Sequence, residues 1–147
     1  MFKHVLVPTD GSPLSDSTVA HAISFAKSIG AQITFFYAQP EFPLPVYGEG
    51  ALLDPTTPEQ FAKSAAQEAS QILSRAQEAA TAAGVTANTY TEINEVPYEA
   101  IISATDRNGC DLIFMASHGR KGIAGLLLGS ETQKVLTHSK IPVLVYR

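Results

Sequence analysis

The stretch Asp111-Leu112-Ile113-Phe114-Met115-Ala116-Ser117-His118-Gly119-Arg120-Lys121-Gly122-Ile123-Ala124-Gly125-Leu126-Leu127-Leu128-Gly129-Ser130 carries three signals in succession. Leu112 to Ala116 is apolar at every position, the pattern of a strand covered on both faces. Residues 117–130 then hold four glycines. Glycine lets backbone N–H groups come close to a ligand. Gly129-Ser130 opens the last helix, read as Glu131 to His138. At a helix start, N–H groups without intrahelical partners and the dipole favour an anion. Ser130 adds a hydroxyl, and Arg120 and Lys121 add positive charge. Such a strand, loop and helix start suit phosphate. A plainer reading makes Ser130 an N-cap and the glycines turn residues, and at this level both readings stand.

Two common phosphate fingerprints are missing. The chain has no G-x-x-x-x-G-K-[ST] and no G-x-G-x-x-G after its first strand. P-loop NTPases and dinucleotide-binding dehydrogenases are therefore not expected.

Outward from this stretch, strands and helices alternate. Val5-Leu6-Val7, closed by Pro8, is a buried-strand run, and Thr9-Asp10-Gly11-Ser12 is a turn. Ser12-Pro13 suits a helix N-cap followed by proline at the first helical position. Val19, Ala22, Ile23 and Ala26 keep helical spacing, and Gly30 is a stop signal. Ile33 to Ala38 is a second strand. Pro40 to Pro55, rich in proline and glycine, has neither period and is expected to be a surface loop. Thr57-Pro58-Glu59-Gln60 is a capping box opening a helix to about Ala83, before Gly84. Phe61, Ala65, Ala69, Ile72, Leu73, Ala76 and Ala80 form its apolar stripe. A strand from Thr86 to Ile93, a helix from Pro97 to near Gly109, and a final strand from Ile141 to Tyr146 complete the order. This alternation predicts an α/β fold with a parallel sheet and helices on both faces. Ligands of such sheets lie beyond the carboxyl ends of the strands, which here means the loops after Val7, Ala38 and Ala116.

With 147 residues the chain suits one domain over residues 1–147. The net charge of −4 and the lack of a basic run argue against nucleic acid as a partner. No apolar run approaches a membrane span or a signal-peptide core, so a cytoplasmic location is expected. The lone Cys110 allows no internal disulfide. It precedes a strand and is expected to be structural. His4, His21, His118 and His138 lack metal-ligand spacing. His118 has no nucleophile or carboxylate partner set by spacing, so no catalytic residue is assigned.

Taken together, these segments resemble the universal stress protein family nearly end to end. The resemblance rests on Val5 to Ser12, Asp111 to Gly119, Leu127-Leu128-Gly129-Ser130-Glu131-Thr132 and the tail Ile141 to Val145. It implies a five-stranded parallel sheet of order 3-2-1-4-5, two helices on each face, of the adenine nucleotide alpha hydrolase-like type. It also implies a homodimer paired through the last strand, Ile141–Tyr146, which as a sheet edge invites pairing.

One branch of the family binds ATP through glycine, two residues, glycine, nine residues, then glycine and Ser or Thr. Gly119, Gly129 and Ser130 fit that pattern, while Ala116 replaces its first glycine. By this resemblance Pro8, Thr9 and Asp10 form the adenine and ribose wall, and Ala38 meets the adenine edge. Gly119, Gly129, Ser130 and Thr132 match the phosphate and ribose cradle, and Met115, Ala116, Ser117, His118, Arg120 and Glu131 are further nucleotide-binding candidates of the same stretch. Asp10 alternatively serves only an Asx-turn. Ala116 would be strained if its position needed a positive φ and tolerated if only a small side chain were required; tolerance is the expectation. ATP, with Mg²⁺ on its phosphates, is the implied ligand. No general base is evident, so any hydrolysis is expected to be slow. The alternatives are an interaction module without nucleotide, for which Ala116 speaks, and a phosphate-transferring enzyme.

Overall fold

Val5, Leu6 and Val7 are fully buried at the centre of a five-stranded parallel sheet. The computed structural model describes residues 1–43, 56–119 and 128–147. In chain order the elements are β1 (His4–Pro8), α1 (Pro13–Ile29), β2 (Gln32–Gln39), α2 (Pro58–Ala82), β3 (Ala87–Ile93), α3 (Pro97–Asn108), β4 (Leu112–Ala116), α4 (Ser130–His138) and β5 (Val143–Tyr146). The sheet order is β3-β2-β1-β4-β5, as expected. The segment Pro40 to Pro55 lies, from residue 44 onward, outside the described residues.

Side chains alternate across the sheet, so each central strand feeds two cores. Val5, Val7, Ile33, Phe35, Leu112 and Phe114 pack with α1 and α2. Leu6, Phe36, Ile113 and Met115 pack with Ala100, Ile101 and Ala104 of α3 and Val135 of α4. Burying one large aliphatic side chain contributes about 1.5–3 kcal/mol. The three middle strands, apolar on both faces, therefore supply much of the stability. The alanine stripe of α2 is buried from Ala65 to Ala80, while Phe61 stays half-buried against the ring of Phe42.

Local chemistry sets the helix ends. The Ser12 side chain accepts the Ser15 N–H to start α1, and Gly30, at φ 70°, ends it. Thr57 and Gln60 form the expected reciprocal capping box. Boundaries shift by a residue or two at β2, β3, α4 and β5, and two of these shifts have a clear cause. β5 begins at Val143 because Pro142 has no N–H for the ladder, although its carbonyl accepts from Ile113 N. Gly129, not Ser130, is the N-cap residue of α4, and no side chain caps that helix start.

At the amino end of the sheet, the Asp111 carboxylate accepts the N–H groups of Lys3 and His4. His4 Nε2 lies 2.7 Å from Thr34 Oγ1. Burial lowers the His4 pKa, against the opposing pull of Asp111. Neighbouring Cys110 is buried, and its thiol is pushed up to about 12, mainly by burial.

Candidate functional site

The carboxyl end of β1 delivers Pro8, Thr9 and Asp10 to one side of the site. Parallel pairing continues past the strand, with Thr9 N donating to Phe36 O at 2.9 Å. The buried Thr9 hydroxyl accepts from Ser15 Oγ at 2.8 Å. Thr9 therefore spends its side chain on the turn. Asp10 Oδ1 accepts Ser12 N at 2.9 Å, an Asx-turn. Its other oxygen, Oδ2, faces Gly119: a Cβ built on Gly119 would stand 2.7 Å from it. The Asx-turn is thus real, and it is made through Oδ1. Gly11, at φ 74°, makes the bend between them.

The carboxyl end of β4 forms the opposite side. Ala116 pairs with Tyr146 in regular register. Among the described residues no non-glycine has a positive φ, so Ala116 is not strained there. Met115 points its side chain into the core, and Ala38 packs on the same cluster from β2. Ser117 is buried and heavily bonded. Its N–H donates to Tyr146 O at 2.8 Å, and its carbonyl accepts Gly129 N at 2.7 Å. The buried Thr132 hydroxyl lies 3.1 Å from both Ala116 O and Ser117 O. These bonds fasten the start of α4 to the end of β4. A Cβ on Gly129 would come within 3.1 Å of His118 Cα and Cβ. Close backbone approach, not a positive φ, favours glycine there, since Gly129 itself is extended at φ −70°.

The exposed Ser130 is the first residue of α4. Glu131 follows, with its carboxylate turned away. Oε2 accepts Tyr98 N at 2.9 Å and Oε1 lies 3.2 Å from Lys134 Nζ. Glu131 thereby caps α3, whose own N-cap position, Val96, makes no side-chain hydrogen bond. His118 Nδ1 lies 3.2 Å from Ser117 Oγ. This contact has the composition of a nucleophile–base pair, but Ser117 is only 1% exposed, which denies a substrate access to its hydroxyl. Arg120 and Lys121 lie outside the described residues.

The geometry thus brings Asp10, Gly119, Gly129 and the α4 start together around the carboxyl ends of β1 and β4. The family model for the universal stress protein family matches residues 1–147. The chain belongs to the universal stress protein family. A universal stress protein of Methanocaldococcus jannaschii, MJ0531, is 32% identical over all of this chain and 83% of its own length. The solved structure of protein MJ0577 has a TM-score of 0.80 at 23% identity, covering 99% of this chain and 95% of that one. A universal stress protein solved in complex with cAMP has a TM-score of 0.71 at 28% identity, covering 99% of this chain and 97% of that one. The sequence of this universal stress protein did not disclose the role of Glu131 as a cap on α3. A carboxylate beside a phosphate cradle is electrostatically unfavourable, and that was the available signal. The Ser15 and Tyr146 contacts had no local signal.

Proposed function

We propose that this universal stress protein binds an adenine nucleotide, ATP, across the carboxyl ends of β1, β2 and β4. The observation that carries the reading is the meeting of Asp10 Oδ2 with Gly119, beside a helix start that no side chain caps. A carboxylate accepts from ribose hydroxyls or an adenine amino group. An uncapped helix start with a serine in its first position suits phosphate oxygens. The relative held with cAMP supports the same ligand class.

Pro8, Asp10 and Ala38 take the nucleoside side in this reading. Gly119, Arg120, Gly129 and Ser130 take the phosphates. Thr9, Met115, Ser117, His118 and Thr132 shape the walls through backbone or through bonds to one another. Glu131 anchors α4 and keeps its own charge turned toward Tyr98 and Lys134. Among the described residues no cluster of three His, Cys, Asp or Glu could hold a metal ion. In this reading Mg²⁺ is carried on the phosphates of the nucleotide.

The extended backbone of Ala116 removes the strain argument for a nucleotide-free interaction module. We further propose a signalling homodimer paired through β5, acting in the cytoplasm in the stress response, with at most slow hydrolysis. Heat-denatured native protein should release adenine nucleotide, detected by chromatography. Replacing Gly129 and Ser130 together by alanine should abolish that release while the protein still melts cooperatively. Unchanged nucleotide in that variant would refute the site.

A further inference from the structure

Tyr146, in the last strand and outside the expected nucleotide site, contacts both the residue that follows β4 and helix α1. Its carbonyl holds Ser117 N–H at 2.8 Å, directly before the loop that carries Gly119. Its ring stacks on His21 of α1, with centroids 4.2 Å apart and planes inclined by 24°. Its hydroxyl lies 3.3 Å from His21 Nε2. The other nitrogen, His21 Nδ1, lies 2.9 Å from Ser17 O and so is the one that donates. Nε2 is then left to accept the tyrosine proton. α1 is the helix whose capping turn holds Asp10, through Asp10 N to Ser15 Oγ and Asp10 Oδ1 to Ser12 N.

One residue thus links the loop after β4 by its backbone and the α1 side by its side chain. The distance between Asp10 and Gly119 depends on how these two elements sit relative to each other. A second aromatic contact, Phe25 against Phe114 at 5.7 Å, holds α1 to β4 deeper in the core. The Tyr146–His21 stack lies at the rim of the fold, with His21 exposed and Tyr146 half-buried against the core beneath α1, so the thermal melts must separate lost packing from lost spacing.

We propose that Tyr146 is a positioning residue that sets the spacing of the two walls of the adenine-nucleotide pocket through His21. The inference rests on the nucleotide reading above. Tyr146→Ala keeps the backbone bond to Ser117 and removes the stack. Tyr146→Phe keeps the ring and removes the hydroxyl.

The test is calorimetric titration of AMP and ATP into wild type, Y146A, Y146F, H21A and the double variant Y146A/H21A. Thermal melts alongside verify folding. Y146A is expected to weaken AMP binding about 5- to 10-fold, a loss in the range of one modest coupling energy. Y146F should stay within about 2-fold of wild type, since an exposed hydrogen bond contributes little beyond the stack. H21A should match Y146A, and the double variant should be no worse than either, the signature of a shared contact. A merely structural role would lower the melting temperature and leave AMP affinity in place. Folded Y146A that binds AMP like wild type overturns the inference and leaves the nucleotide reading standing. Additive losses in the double variant also overturn it. If wild type itself binds neither AMP nor ATP, the nucleotide reading fails and this inference falls with it.

Discussion

Replacing Thr132 by valine probes the fastening between β4 and α4. Valine matches threonine in shape and removes only the hydroxyl donor. That hydroxyl is 2% exposed and lies 3.1 Å from each of two carbonyls, Ala116 O and Ser117 O. Ser117 O keeps a second donor, Gly129 N, at 2.7 Å. The cost therefore falls chiefly on the bond lost at Ala116. An intramolecular hydrogen bond contributes about 0.5–1.5 kcal/mol net, and a half-buried carbonyl left without this donor adds up to about 1 kcal/mol. The expected destabilisation is about 2 kcal/mol. In a domain of this size, that lowers the melting temperature by roughly 4–8 °C. Differential scanning calorimetry of wild type, T132V and T132S measures it. T132S retains the hydroxyl and should recover most of the loss. A T132V protein within about 0.5 kcal/mol of wild type, or a T132S protein no better than T132V, would refute the reasoning.

Other expectations follow from the same contacts. Gly129→Ala forces a Cβ to within 3.1 Å of His118, and overpacking of this kind costs about 1–3 kcal/mol; chemical denaturation should reveal it, together with weaker AMP binding. Burial lowers the His4 pKa from 6.5, so the unfolded chain binds the proton first as pH falls. The His4 contribution is complete above about pH 6.5 and declines below it until the folded ring is also protonated. Wild type should therefore lose more stability than H4Q between pH 7 and 5, and parallel losses in denaturant titrations would contradict this. With its thiol pushed up to about 12 and its side chain buried, Cys110 should resist iodoacetamide at pH 8 in the native protein and react in denaturant. Rapid native labelling, followed by mass spectrometry, would count against that environment.

The alternation of elements was legible because it depends on local pattern. Continuous apolar runs at Val5–Val7 and Leu112–Ala116 marked doubly covered strands. Ser12-Pro13 and the Thr57–Gln60 box marked helix starts. Legibility ended where side chains meet across the chain. Glu131 looked like a phosphate neighbour from its position, yet it caps α3 by accepting the N–H of Tyr98, 33 residues earlier in the chain. Thr132 looked like a ligand contact, yet its hydroxyl serves two carbonyls of β4 and the loop after it. Neither choice has a sequence period, since both depend on how α3 and α4 settle on the sheet. Of the two questions about Ala116, the one of backbone angle is answered by its lack of a positive φ, while the room for its methyl beside a nucleotide belongs to the binding test.

The bond from Gly129 N to Ser117 O has a consequence for how the sheet and its last helix share a load. Ser117 also donates its own N–H to Tyr146 O, so one residue is tied at once to β5 and to the start of α4. The helix start thus takes its position from the outer strands of the sheet. A displacement of β5 would be handed on through this single peptide to the amino end of α4.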